Sequence, residues 1–286
     1  MGLFRTEEGH AAYLAAYDAM LARWPVPAKS RIVETSLGLT HMLEAGRRDA
    51  PPLVLLPAVS VSATEWFANV GELAKQRRLF AVDIVGDAGK SVLKNRPRTP
   101  ADYARWLAEL FAGLGLVRPA VAGHSYGGWL SMALAIHRPE AVGPVVLLAP
   151  SSGLAPFHWY MKAFLAVAEK LPFKPGARAT LAAQAHKGFV LDATFVHLME
   201  VMTASARTDV LFPGPFSDGD LRRIRSPMLV LIGDLEVLYD PVAAIGRAQR
   251  LIPGCRARLV PGCAHLLNME QPAEIDRAIL EFLAGF

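Results

Sequence analysis

Six short apolar runs, continuous rather than alternating, set the strongest limit on how this chain folds. They are LVLLP (53–57), LFAVD (79–83), AVAG (120–123), VVLLA (145–149), MLVLI (228–232) and ARLV (257–260). A short run with no polar face fits a strand covered on both sides, as in a parallel sheet. Helical patterns fill the intervals. PADYARWLAELFAGLG opens on Pro100, tolerated in a helix's first turn, and ends near Gly113 and Gly115. SYGGWLSMALAIHRP stops at Pro139, and PAEIDRAILEFLAGF closes the sequence. This alternation predicts an α/β fold, a mostly parallel central sheet flanked by helices through right-handed crossovers. RIVETSLGLTHMLEAG (31–46) alternates and turns at Leu37-Gly38, which predicts an antiparallel hairpin at a sheet edge.

The rhythm breaks after the sixth predicted strand. From Ser151 to about Ser226 no strand pattern recurs, while PFHWYMKAFLAVAEKLPF and ATFVHLMEVMTA read as amphipathic helices. A segment that long is not a loop. The expected organisation is one core domain from residues 1–150 and 227–286, with a helical cap at 151–226. Phe157, Trp159 and Tyr160 are candidate walls of a substrate pocket, although for any one of them packing of cap against sheet is the commoner use.

Composition narrows the function classes. The chain has 286 residues, 52% hydrophobic and 20% charged, enough for a sizeable globular core. No apolar stretch reaches the roughly 20 residues of a membrane helix. MGLFRT, with Gly2 and Thr6, superficially matches a myristoylation pattern, but the early acids and the lack of a cleavage site predict a cytoplasmic protein off the membrane. The net charge is +4, yet Arg47-Arg48, Arg77-Arg78 and Arg222-Arg223 are scattered without interleaved aromatics, so a solvated surface is expected and no nucleic-acid partner. Cys255 and Cys263 bracket RARLVPG. A strand from Arg256 to Val260 spans roughly 17 Å, beyond the reach of about 7 Å between bridged Cα atoms. Unbridged cysteines fit a reducing compartment.

One polar side chain sits at a seam between buried elements. In AVAGHSYGGWLSMAL (120–134), Ser125 lies between a strand and a helix, with Gly123, Gly127 and Gly128 around it. A turn that tight crowds the backbone and excludes large flanking side chains. It lifts the serine beyond the carboxyl end of the sheet, where α/β ligand sites occur, and onto a helix N-terminus that favours developing negative charge. This is the G-x-S-x-G nucleophile elbow; a glycine-rich turn with serine as a mere cap is the bland alternative.

A serine hydroxyl needs a base and a group that orients the base. Of eight histidines, His265 and His124 sit beside strand ends on the serine's edge. Neighbours in a tight turn point apart, so His124 supports the turn and His265 is the candidate base. Asp234, Glu236 and Asp240 follow MLVLI. Asp240 precedes Pro241 and reads as a helix N-cap, Asp234 could brace the loop, and Glu236 lies where the loop should swing towards His265. For an oxyanion hole, the Tyr126 N–H follows the nucleophile directly, and Val59 is the best candidate in AVSVSATEW (58–66).

These residues together resemble the α/β-hydrolase superfamily over nearly the whole chain. The likeness rests on the loop after Leu56, Asp83-Ile84-Val85-Gly86, the elbow Gly123–Gly127, the segment 151–226, Gly233–Glu236 in a G-x-x-[DE] spacing, and His265. FRTEEG, ETSLGLTH, AVDIVGDAGKS and GDLEVLYDP are similar to bacterial carboxylesterases of the NP type. The resemblance implies cofactor-free hydrolysis of carboxylic esters, including aryl-propionate esters, by a Ser-His-Glu catalytic triad through an acyl-enzyme. It leaves a thioester, a lactone or a carbon–carbon bond as alternative substrates, a non-catalytic binding protein as a further alternative, and homodimer formation open. One departure is Pro57-Ala58, where the family's oxyanion loop usually begins His-Gly. Proline removes an N–H, and alanine resists the positive φ that glycine permits.

Overall fold

The computed structural model describes residues 3–160 and 176–286. Its first strands, β1 (Ala28–Thr35) and β2 (Gly38–Ala45), form the antiparallel hairpin, closed by Ser36 and Leu37 with Gly38 at φ 139°. The turn therefore lies one residue earlier than the sequence pattern suggests. Then come β3 (Pro52–Leu56), β4 (Arg78–Val82), β5 (Val92–Leu93), β6 (Ala120–His124), β7 (Val145–Leu148), β8 (Met228–Gly233) and β9 (Arg256–Val260). They join in one sheet ordered β1-β2-β4-β3-β6-β7-β8-β9, with β5 paired to β2. All pairs from β4 through β3 to β9 are parallel, and the pairs made by β2 are antiparallel.

Each apolar run lands in a strand. In β3, β6, β7 and β8 nearly every residue is buried, because helices cover both faces and leave two apolar clusters, one on each side. The run at 257–260 behaves differently. β9 is the sheet's edge, its burial alternates, and Arg258 reaches solvent to pair with Glu274. The two-residue β5 lacks any sequence signal, so the insertion expected after the sixth strand follows the seventh.

The helices Pro100–Gly113, Tyr126–His137, Pro241–Leu251 and Pro272–Leu283 lie where their patterns and prolines place them. Thr99 and Asp102 form a capping box on the first of these. Between β7 and β8 the described residues hold the helices Ala177–Gln184, Ala193–Ser205 and Asp218–Arg223 and one isolated bridge, Phe4 with Ala206. The helix expected over 156–173 falls largely outside the described residues.

A helix at Glu7–Leu21 has no counterpart in the sequence reading. Thr6 caps it by accepting from the Gly9 N–H, and Tyr13, Ala16, Tyr17 and Met20 form its buried stripe. It packs on the Ala193–Ser205 helix, and the Arg5 N–H donates to the Ser205 carbonyl at 2.8 Å. The amino-terminal segment thus joins the insertion as well as the sheet.

Candidate active site

Ser125 stands between β6 and the Tyr126–His137 helix at φ 50°, ψ −110°. That left-handed backbone is strained for any residue with a Cβ. Its carbonyl accepts from the Ser151 N–H at 2.9 Å, and its own N–H donates to Leu148 at 2.8 Å. The flanking glycines answer to close backbone: a Cβ on Gly123 would strike the carbonyl of Gly127, and one on Gly127 would strike the carbonyls of Leu56 and Pro57. The elbow is therefore wedged against the end of β3, with the Gly127 N–H donating to the Pro57 carbonyl at 3.0 Å.

Three separate loops bring a hydroxyl, an imidazole and a carboxylate into line. Ser125 Oγ lies 2.9 Å from His265 Nε2, and His265 Nδ1 lies 2.7 Å from Glu236 Oε2. All three residues are buried. Glu236 Oε1 accepts the N–H groups of Val237 and Leu238 at 2.8 and 2.9 Å. Burial pushes the Glu236 carboxyl up, but the His265 charge and hydrogen bond and these two amides outweigh it and hold the group below its ordinary value. Asp234 instead accepts the Gly262 N–H at 2.8 Å, and Asp240 caps the next helix through the Ala243 N–H at 3.0 Å. Gly233 lets the two loops meet, since a Cβ there would run into the carbonyls of Cys263 and Ala264.

The loop after β3 carries its positive φ at Ser60, 65°, and not at Ala58. Alanine in place of the family's glycine therefore bears no left-handed strain. Two buried carboxylates hold the loop: Glu65 Oε2 accepts the Ala58 N–H at 2.7 Å, and Asp87 Oδ2 accepts the Ser60 N–H at 2.8 Å. Burial pushes the Asp87 carboxyl up to about 7 despite its two amide donors. Among the described residues, the N–H groups of Val59 and Tyr126 have no acceptor. These are the two amides singled out as oxyanion donors, and they flank the seam closed by Gly127 and Pro57.

The pocket candidates separate. Phe157 is buried against Phe212, with ring centroids 5.9 Å apart. Trp159 is 79% exposed, so it stands on the surface rather than in an enclosed wall. Tyr160 is exposed and donates its hydroxyl to the Val237 carbonyl at 2.8 Å, next to Glu236.

Three residues escaped the sequence reading. Ser151 Oγ lies 2.8 Å from Ser125 Oγ. Its signal was its place just past β7, on the serine's sheet edge. Glu65 pairs with His124 Nδ1, and the Gln184 carbonyl accepts the His265 N–H at 2.9 Å. Neither carries a local signal, because each partner lies far along the chain. Among the described residues no helix is long and apolar enough to cross a membrane.

Comparison with known proteins identifies the family and the fold. Residues 53–278 match the model of the alpha/beta hydrolase family. An uncharacterized carboxylesterase, nap, of Bacillus subtilis is 35% identical over 94% of this chain and 91% of its own length. The carboxylesterase YbfK of the same organism is 32% identical over 99% of this chain and 97% of its own. The crystal structure of naproxen esterase (carboxylesterase NP) from B. subtilis superposes with a TM-score of 0.91 at 33% identity, covering 98% of this chain and 99% of that one.

Proposed function

This chain belongs to the alpha/beta hydrolase family and is carboxylesterase-like, and from that premise we propose that it cleaves carboxylic esters through an acyl-enzyme formed on Ser125. The observation that carries the reading is the unbroken hydrogen-bond chain from Ser125 through His265 to Glu236. His265 Nε2 takes the Ser125 proton as Oγ attacks the ester carbonyl. The new C–O bond converts the carbonyl to an oxyanion, which the Val59 and Tyr126 amides receive. Glu236 keeps the Nδ1 proton facing it and balances the imidazolium. As the C–O bond to the alcohol breaks, His265 returns the proton to the departing alkoxide. Water, deprotonated by the same imidazole, then attacks the acyl group and frees the acid and Ser125.

Residues 151–226 act in this reading as a helical cap on a core of 1–150 and 227–286. Three contacts support it: Tyr126 Oη donates to the Leu211 carbonyl, Trp129 Nε1 to Gly214, and the His265 amide to Gln184. The cap then lies on the nucleophile's helix and on the base. The two free cysteines fit a cytoplasmic location. The relative named naproxen esterase suggests an aryl-propionate ester as the first substrate to try. The test is a panel of aryl-propionate esters, short-chain aryl esters, thioesters and lactones. Turnover of esters supports the reading, and turnover of thioesters alone would replace it.

A further inference from the structure

Behind the Ser125–His265–Glu236 chain lies a second buried histidine–glutamate pair. Glu65, on the 3-10 helix Ala63–Ala68, presents Oε1 to His124 Nδ1 and Oε2 to the Ala58 N–H at 2.7 Å. His124 Nε2 faces the carbonyl oxygen of His265 at 2.9 Å. His124 is fully buried, and Glu65 is 1% exposed.

The hydrogen inventory limits the charge state. A carbonyl oxygen only accepts, so Nε2 must carry a hydrogen. Nδ1 faces a carboxylate that already accepts the Ala58 amide and has Asn268 Nδ2 at 3.4 Å from Oε1. Two donors aimed at that carboxylate favour its anionic form, which leaves the second hydrogen on Nδ1. The groups around His124 are Glu65 from the 3-10 helix, His265 and Glu236 from the two loops past β8 and β9, and Ser125 beside it in sequence. Burial opposes a cation here, but the Glu65 charge and hydrogen bond, the His265 carbonyl and Glu236 outweigh it, and His124 lies above the ordinary histidine value.

We propose that Glu65 and His124 form a buried carboxylate–imidazolium pair that positions nucleophile, base and oxyanion loop as one unit. The proposal rests on the hydrolase reading above. His124 is covalently joined to Ser125 and hydrogen-bonded to the backbone of His265, while Glu65 holds Ala58, the neighbour of Val59. One pair thus ties together all three segments that must meet during attack. It also sets a cation beside the base, with the His124 and His265 ring centroids 5.2 Å apart. Neither residue touches the reacting atoms, so both are positioning residues.

Glu65→Gln separates charge from geometry. The amide oxygen can accept the Ala58 N–H, and the amide nitrogen can donate to a neutral His124 Nδ1. His124 still donates to the His265 carbonyl, so only the long Asn268 contact at 3.4 Å is lost along with the charges. Glu65→Ala removes the loop brace as well. The experiment is nitrogen NMR of the histidine rings in the unmutated protein at pH 8, assigned by loss of signals in His124→Gln, together with kcat and KM against pH for both Glu65 variants. His124 should carry hydrogens on both ring nitrogens in the native protein and on one in Glu65→Gln. In Glu65→Gln, where the Ala58 N–H keeps its acceptor, kcat should fall less than in Glu65→Ala. In Glu65→Ala kcat should fall roughly tenfold or more, with KM changed little. A bare ring nitrogen on His124 in the native protein at pH 8, or wild-type kcat in Glu65→Ala, overturns the proposal. Should Glu65→Ala not fold, the NMR measurement decides it. The NMR readout needs no turnover, so failure of the ester assignment remains distinguishable.

Discussion

Glu236 spends one carboxylate oxygen on His265 Nδ1, at 2.7 Å, and the other on two consecutive amides of its own loop. The acid is thereby fixed in orientation before it meets the imidazole, and it dictates that the Nδ1 proton points away from the serine. Replacing it with glutamine aims an N–H at Nδ1 or breaks the amide contacts. The imidazole then adopts the wrong tautomer, with a hydrogen on the nitrogen that should accept the serine proton. Glu236→Gln should lower kcat for an aryl ester by about a thousandfold to ten-thousandfold with KM nearly unchanged. Steady-state kinetics on the folded variant checks this; a loss below tenfold contradicts the role.

Ser151 hydrogen-bonds the same oxygen that His265 does. The single Ser125 hydrogen is committed to His265, so Ser151 is the donor in their contact. That donor holds the Ser125 rotamer and supports charge on Oγ during attack. Ser151→Ala should reduce the acylation rate by roughly tenfold, the worth of about one hydrogen bond. Stopped-flow release of the alcohol measures it. Wild-type acylation would mean that the contact is incidental.

Asp276 gives a stability signature separate from catalysis. Burial pushes its carboxyl up to about 7, Asn69 offsets this in part, and Glu72 adds to it. In the unfolded chain an aspartate titrates near 4. Between those values the unfolded state has lost the proton that the folded state keeps, so stability falls as pH rises from about 4 to about 7. Asp276→Asn removes this penalty. The variant's gain in Tm over the native protein should be larger at pH 8 than at pH 5, by roughly 5 °C. Thermal melts at the two pH values read it, and an equal gain at both contradicts the assignment.

Much of the fold and site was legible in the sequence because the constraints were local. Parallel strands covered on both faces advertise themselves as apolar runs, and Pro100, Pro241 and Pro272 each mark a helix's first turn. Gly123 and Gly127 announce the elbow because close carbonyls exclude a Cβ at both positions. The Glu7–Leu21 helix was missed although its buried residues recur at helical spacing, since its apolar stripe is thin and it packs on the Ala193–Ser205 helix, far along the chain. Glu65 was invisible for a different reason. Its partner His124 is 59 positions away, and a lone acid in SATEW reads as surface until the fold buries it.

The most direct measurement of the central claim is to mix the protein with a slowly turning-over aryl ester, quench in acid and locate the acyl group by mass spectrometry. The account predicts one acyl adduct on the peptide that carries Ser125, absent from a folded Ser125→Ala protein that no longer turns the ester over. An adduct on another residue, or undiminished turnover by Ser125→Ala, would contradict it.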